Sequence, residues 1–517
     1  MKEILYIQAG PLANFIGTHF WNTQESYFTY GDEEEPIVYH DRSFREGLTP
    51  KGEPTFCPRL LIFDRKSQFG ALSDELYGDA DESAINQWEG GVVEYRRDRI
   101  PKSDYQTALD QGLDESEQHQ DDDKPAPART PNIRFWSDYS RVYYHPRTAQ
   151  KLSDLADWER LEGEWNASRE TFSNYEHEHE IMENEVRLFV EECNALQGIQ
   201  LTSDCGTFGG FTDAFLTVFR DEYPKMPSLA FPLLSNASNL RVSADEEASA
   251  MKLINDALCI RSLETLSTIN VPLQHPSTWP RGKWLEDLNI DQPRNPYHTS
   301  ALLATHIESA TLPLRLKSSS YDISTLSSML NASATLSLSH LSGMYPVPSD
   351  VKWSREMEKR IFDLSAATEG NARYGNAPVM EYARLQVARG FGPSERVEFE
   401  GYLSAKSPAP FSIYAPPYPT PSSFPRFFSE AQTKRGDKHR VLSSLSTSSA
   451  TAPLLASYAT LVQECVDRRA DVVGRMGLEF DEMRELKDEL WALCDRYAGP
   501  DEEWRGSKED VLSEDEE

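Results

Sequence analysis

The chain has 517 residues, 39% of them hydrophobic and 11% aromatic, with a formal net charge of −32. That length exceeds one ordinary core and predicts two domains with a helical tail, and the apolar content suffices for packed interiors. The charge excludes nucleic acid as a partner, because a polyanion is repelled wherever no dense Lys/Arg cluster compensates, and the sequence has no such cluster.

Ile4 to Ile7 is a short apolar run that reads as a buried strand; Gly10-Pro11 breaks it, and Leu12, Phe15, Ile16 and Phe20 then recur at helical spacing. Strand, glycine turn and helix open an α/β nucleotide fold, because the turn brings backbone N–H groups and a helix N-terminus towards an anion. A second strand is predicted at Leu60–Phe63, ended by Asp64. Residues from about 79 to 131, apart from a short element near Trp88 to Tyr95, lose apolar periodicity and, with Asp121-Asp122-Asp123 and the run from Pro125 to Pro131, read as a solvated loop or insertion. The stretch from Trp136 to Arg147 reads as a packed, hydrogen-bonded structural turn, and a helical stretch is predicted roughly from Leu152 to Gly198. Within it, His177-Glu178-His179-Glu180 reads as a solvated face, since residues two apart diverge on a helix and cannot share a metal.

Cys205 to Gly210 is a Gly-rich turn, followed by Phe211, Phe215, Val218 and Phe219 on one helical face. The Ser/Thr-rich stretches near Ser318–Ser342 and Ser443–Pro453 read as surface loops or interdomain connections, and Pro408–Pro425 as an extended, partly packed segment. Leu454, Leu455, Tyr458, Leu461, Val462 and Cys465 mark one amphipathic helix; Met483, Leu486, Leu490, Leu493 and Tyr497 mark another, stopped by Gly499-Pro500. The predicted organisation is an N-terminal domain at 1–275, a second domain at 276–450, C-terminal helices at 451–500 and a disordered acidic tail at 501–517. Six scattered cysteines without a CxxC pair read as reduced cytosolic thiols. No apolar run approaches the roughly 18–20 residues that span a bilayer, and a start carrying Glu3 and a single early basic residue, Lys2, is no transit peptide.

Several segments carry more than a pattern. Glu3-Ile4, Ile7-Gln8-Ala9-Gly10, Asn14, Ile16-Gly17 and Phe20-Trp21 resemble the start of a tubulin, with Pro11-Leu12-Ala13 where tubulins place Gln-Cys-Gly. Arg220-Asp221-Glu222-Tyr223-Pro224 resembles the end of the helix that follows the tubulin signature loop, Gly-Gly-Gly-Thr-Gly-Ser-Gly. Here that loop reads Asp204-Cys205-Gly206-Thr207-Phe208-Gly209-Gly210, so three glycines are lost where backbone amides approach a phosphate. Phe208 fills that space, and Asp204 places a carboxylate where a phosphate would sit. Pro58 to Ser67 resembles the tubulin Pro-Arg…Val-Asp-Leu-Glu-Pro segment: Asp64 is kept, and Lys66 stands at the glutamate near the nucleotide's magnesium. The tubulin Gly-x-x-Asn-x-Asp loop is not found.

With Trp136-Ser137-Asp138-Tyr139, Tyr143-Tyr144-His145-Pro146-Arg147 and the Pro417–Pro425 segment, these features resemble the Misato family, most securely over the first 275 residues. The resemblance implies an α/β, tubulin/FtsZ-like doubly wound sheet with a second α+β domain and C-terminal helices. It implies a vestigial nucleotide crevice at Gly10, Asn14, Asp64, Gly206, Thr207, Gly209 and Gly210, with no catalytic or metal-binding residue. The substitutions favour a tight strand-to-helix turn at Gly206–Gly210 over residual nucleotide binding. Fungal members are linked to mitochondrial partitioning and inheritance of mitochondrial DNA. The expected function is therefore non-catalytic and cofactor-free. It would act through contacts with cytoskeletal, chaperone or outer mitochondrial membrane proteins, in the cytoplasm and peripherally on the outer mitochondrial surface. The alternative is a GTP-binding, polymerising GTPase.

Overall fold

The computed structural model describes residues 2–28, 35–48, 52, 54–72, 100–111, 132–153, 164–237, 244–285, 288, 295–331, 335–348, 352–365, 379–404, 410–427 and 438–498. The tail expected at 501–517, the Gly499-Pro500 stop and most of the insertion expected at 79–131 lie outside them.

The apolar run at the start forms β1 (Glu3–Ala9), buried along its whole length, and Gly10 at φ 110° turns the chain into α1 (Pro11–Glu25). Proline at the first helical position lacks an N–H that would have no partner there, and its fixed φ suits the helix. There follow β2 (Leu60–Arg65), β3 (Ala149–Leu152), α2 (Trp165–His179), β4 (Leu196–Asp204), α3 (Cys205–Glu222), β5 (Ser228–Leu233), α4 (Glu247–Leu266) and β6 (Ile269–Asn270). The six strands make one sheet in the order β3-β2-β1-β4-β5-β6, every neighbouring pair parallel. A parallel sheet must be covered on both faces. α2, α3 and α4 cover one face; α1, α5 (Pro296–Thr311) and α6 (Ile323–Leu330) cover the other. The order reverses between β1 and β4, so the crevice that doubly wound sheets use for ligands opens beyond Ala9 and Asp204.

A second, mixed sheet contains β7 (His340–Met344), β8 (Phe362–Asp363), β9 (Glu381–Arg389), β10 (Phe411–Ala415) and β11 (Val441–Ser448), in the order β8-β7-β11-β9-β10. Only β9 and β10 run parallel. α5 lies between the two sheets, against α1 on one side and β11 on the other, and fourteen of its sixteen residues are buried. The C-terminal α7 (Thr451–Asp467) and α8 (Phe480–Ala498) pack on each other and on α4. The far end of α8 is fastened at two places: the N–H of Leu338, which bridges Asn270 of the first sheet, donates to the Tyr497 hydroxyl at 2.7 Å, and the Tyr382 hydroxyl of β9 donates to the Tyr497 carbonyl at 2.8 Å.

Three expectations are corrected. The Ser/Thr-rich stretch from Ser443 is no surface loop: β11 is the middle strand of the second sheet and all eight of its residues are buried. Two of its hydroxyls have partners inside, Ser443 on His306 Nδ1 at 2.9 Å and Thr447 on Ser339 at 3.0 Å, which removes the penalty of burying those two. Likewise Ser318–Ser342 contains α6 and the start of β7. The long helix expected to reach Gly198 is interrupted at Glu180, whose φ of 50° ends α2; a π-turn at Met182–Val186 follows, and the chain is already in β4 at Leu196.

Candidate functional site

At the end of β1, Gly10 donates its N–H to the Phe63 carbonyl at 3.1 Å. A Cβ on Gly10 would lie 2.6 Å from the Asp204 carboxyl carbon, so glycine is required both by φ and by this approach. Asp204, the last residue of β4, reaches across to the start of α1. Its Oδ2 accepts the Leu12 N–H at 2.9 Å and its Oδ1 the Ala13 N–H at 2.8 Å. A helix N-terminus presents unpaired N–H groups and positive dipole to an anion. Here the anion is the protein's own side chain. Burial, reinforced by the nearby charge of Asp64, pushes its carboxyl up to about 7, against the pull of the two N–H groups.

Asp64 closes the adjoining strand end. Asn14 Nδ2 donates to its Oδ2 at 2.8 Å, Trp136 Nε1 to the same oxygen at 3.1 Å, and Arg65 N–H to Oδ1 at 2.8 Å. Complete burial pushes this carboxyl also to about 7. The Trp136–Arg147 turn thus supplies an indole to the crevice floor, and the Tyr139 hydroxyl donates to the Phe15 carbonyl of α1 at 2.7 Å. Lys66 is exposed and does not face the crevice cavity.

The glycines of the second motif separate by role. Cys205 to Gly210 is no turn; it is the opening of α3, which starts directly after Asp204. Gly206 and Thr207 face a cavity of about 110 Å³ that Leu12, Asp204, Ser235 and Lys252 also line, and a Cβ on Gly206 would meet nothing within 4 Å. Gly209 and Gly210 point away from it. A Cβ on Gly209 would be 3.1 Å from the Trp165 ring, and one on Gly210 would be 2.2 Å from the Trp165 carbonyl oxygen. They let α3 lie against α2, where the Ser168 hydroxyl donates to the Thr207 carbonyl at 2.8 Å and accepts the Phe211 N–H at 2.9 Å. Phe208 is buried in the core beneath the sheet, against Phe211. Gly10, Asn14, Asp64, Gly206 and Thr207 therefore gather round the crevice, and Gly209 and Gly210 serve helix packing.

These residues do not fit a guanine nucleotide. The N–H groups that would meet its phosphate already hold Asp204, two buried carboxylates oppose a polyphosphate, and the cavity is well below the roughly 300–1,000 Å³ of sites that enclose such ligands.

Two constellations were not read from the sequence. His340 stands between Asp363 and Thr451, with Nδ1 at 2.9 Å from Asp363 Oδ2 and Nε2 at 2.8 Å from Thr451 Oγ1, the spacing of a nucleophile, base and orienting acid. Thr451 is 1% exposed, however, so no acyl group reaches its oxygen and the trio acts as a clamp between β7, β8 and α7. The other is a buried ionic cluster around Glu308 on α5, which takes Arg389 at 2.6 Å, the Tyr27 hydroxyl at 2.9 Å and Gln24 at 3.0 Å. A single carboxylate in an otherwise uncharged, almost wholly buried helix is the signal that would have found it, since such a charge needs a buried partner. Among the described residues, no group of His, Cys, Asp and Glu could hold a metal ion, and no helix is long and apolar enough to cross a membrane.

Comparison with known proteins agrees with this architecture. The Misato Segment II tubulin-like domain matches residues 2–111, which include Gly10, Asn14 and Asp64, and a tubulin domain matches residues 125–316, which include Asp204 to Gly210. Protein dml1 of Aspergillus niger is 32% identical over 512 residues, covering 95% of this chain and 98% of the relative. Protein DML1 of Gibberella zeae is 38% identical over 326 residues, 61% of each chain. Protein misato of Drosophila melanogaster is 32% identical over 346 residues, 61% of this chain and 60% of its own. With a parallel sheet wound as in tubulins and a relative matched from end to end, the chain belongs to the Misato/DML1 family of tubulin-like proteins.

Proposed function

We propose that this protein is a non-catalytic member of the tubulin fold that serves mitochondrial partitioning and inheritance through contacts with other proteins. The observation that carries this reading is the seat of the Asp204 carboxylate on the Leu12 and Ala13 N–H groups, which leaves the crevice without an anion site for a nucleotide. With Thr451 sealed behind His340, no nucleophile stands open beside a base in that clamp. The mitochondrial role is supported by family membership, and a position on the outer mitochondrial surface and in the cytoplasm goes with it.

The test is the nucleotide content of the purified protein, followed by calorimetry with GTP and magnesium. No copurified guanine nucleotide and no binding at tens of micromolar are expected, an affinity weaker than about −6 kcal/mol. A submicromolar dissociation constant overturns the reading in favour of a GTP-binding, polymerising protein. Protease added to intact mitochondria should degrade the associated fraction; protection that survives rupture of the outer membrane would contradict the outer-surface position.

A further inference from the structure

We propose that Asp204 is a permanent, built-in ligand of the crevice: its carboxylate occupies the α1 anion position that an external phosphate-class ligand would otherwise fill, and the fold is complete without one. The proposal rests on the nucleotide-free reading above and deepens it, by assigning what has taken the ligand's place.

The donors at the start of α1 can be counted. Pro11 has no N–H. Leu12 and Ala13 give theirs to the two Asp204 oxygens, one each, and Asn14 gives its N–H to the Gly10 carbonyl at 2.9 Å. The first turn of α1 therefore has no N–H left over for a second anion, which sets it apart from an ordinary open helix start. The seat is also shaped for its occupant. Gly10 leaves the space in which any side chain would strike the carboxylate, and Asp204 is held by the last position of a central strand and the first turn of α3, not by a loop. Its side chain sits where the strand order reverses, at the position a doubly wound sheet keeps for a ligand. An intramolecular group in that place carries no association entropy and never dissociates, so any partner-binding surface supported by the crevice is not timed by a nucleotide.

If the carboxylate is the ligand, its removal should create a need for one. The experiment compares the full chain with Asp204→Gly and Asp204→Asn at pH 8, in chloride and in inorganic phosphate or pyrophosphate at matched ionic strength. Thermal melting and amide hydrogen exchange of the peptide containing Leu12 and Ala13 are the readouts. The wild type should melt at the same temperature in every salt, with that peptide protected throughout. The glycine variant should melt several degrees lower in chloride, lose the protection, and recover both saturably with pyrophosphate. The asparagine variant keeps the volume with a single acceptor oxygen and should fall between; it carries the comparison if the glycine variant does not fold. A wild type stabilised by pyrophosphate as strongly as the variants, or variants that neither lose protection nor respond to the anion, overturns the proposal. Guanine nucleotide copurifying with the wild type would defeat the functional reading, whereas unresponsive variants of a nucleotide-free protein would defeat this inference alone.

Discussion

The Glu308 carboxylate and the Arg389 guanidinium meet at 2.6 Å with neither side chain exposed to solvent. Around them, Arg389 also donates to the Tyr27 hydroxyl at 2.8 Å and the Pro416 carbonyl at 3.0 Å, and Arg315 donates to the Glu308 carbonyl at 3.0 Å. The cluster joins α1, α5 and β9. Breaking a buried pair from one side leaves an uncompensated charge, so Glu308→Ala or Arg389→Ala should each lower stability by about 3–5 kcal/mol. Calorimetric unfolding of both single variants and of the double variant checks this. The double variant should lose clearly less than the sum, and strictly additive losses would show that the two residues are not coupled.

The glycines of α3 should respond in opposite directions. Gly206→Ala adds a methyl into open space in a helical first turn and should stabilise by about 0.5–1 kcal/mol. Gly210→Ala drives a methyl into the Trp165 carbonyl and should destabilise by about 1–3 kcal/mol. Thermal melts of the two variants decide it; equal effects would mean that the two positions share one role.

Stability should fall as pH rises through neutrality. Asp64, Asp204 and Asp256 are raised by burial from 3.8 to about 7, so their contribution is fully present below the unfolded value and is lost as pH passes through 7. His19 is lowered by burial to about 3, and His275 and His306 to about 4, so these three oppose the carboxylates only up to the unfolded value of 6.5. Between about 4 and 6.5 the two sets offset; between 6.5 and about 8 the carboxylates act alone. Asp256, which accepts the Ser235 N–H at 3.0 Å and hydroxyl at 2.7 Å, is the simplest to remove. Asp256→Asn should flatten the decline by up to about 1.4 kcal/mol per pH unit. Unfolding followed from pH 6 to 8 reports this, and a variant as steep as the wild type would place the titration elsewhere.

The Thr451–His340–Asp363 trio should prove structural. Thr451→Val leaves His340 Nε2 without its partner in a buried place and should cost about 1–3 kcal/mol. Neither protein should hydrolyse an activated ester or take up a fluorophosphonate. Turnover present in the wild type and lost in the valine variant would make the trio an active site.

Local periodicity made much of this fold legible. Ile4–Ile7, Leu60–Phe63, the aromatic face of α3 and the two C-terminal helices were all readable, because each segment declares its buried face within a dozen residues. Composition misled where burial was satisfied from afar: the serines of β11 look like loop until His306 and Ser339 are brought to them. The crevice was legible in part, since a carboxylate at Asp204 in place of glycine points to a changed anion site. That Gly209 and Gly210 answer to Trp165 was not legible, because close helix approach and a phosphate cradle demand the same residue. Glu308 with Arg389, and His340 with Thr451, join positions 81 and 111 residues apart, beyond any spacing rule.

α5 is gripped along its length. At one end His19 Nε2 donates to the Tyr297 carbonyl at 2.9 Å and the Tyr297 hydroxyl to the Ser423 carbonyl at 2.8 Å; at the other stands Glu308; between them His306 meets Ser443 of the second sheet at 2.9 Å. A rod keyed to both bodies at three points behaves as an axle without play. A load applied to the second sheet is delivered to the first as displacement of the whole molecule, with no slippage at the seam to absorb it. That makes the chain a stiff coupling between whatever grips its two sheets.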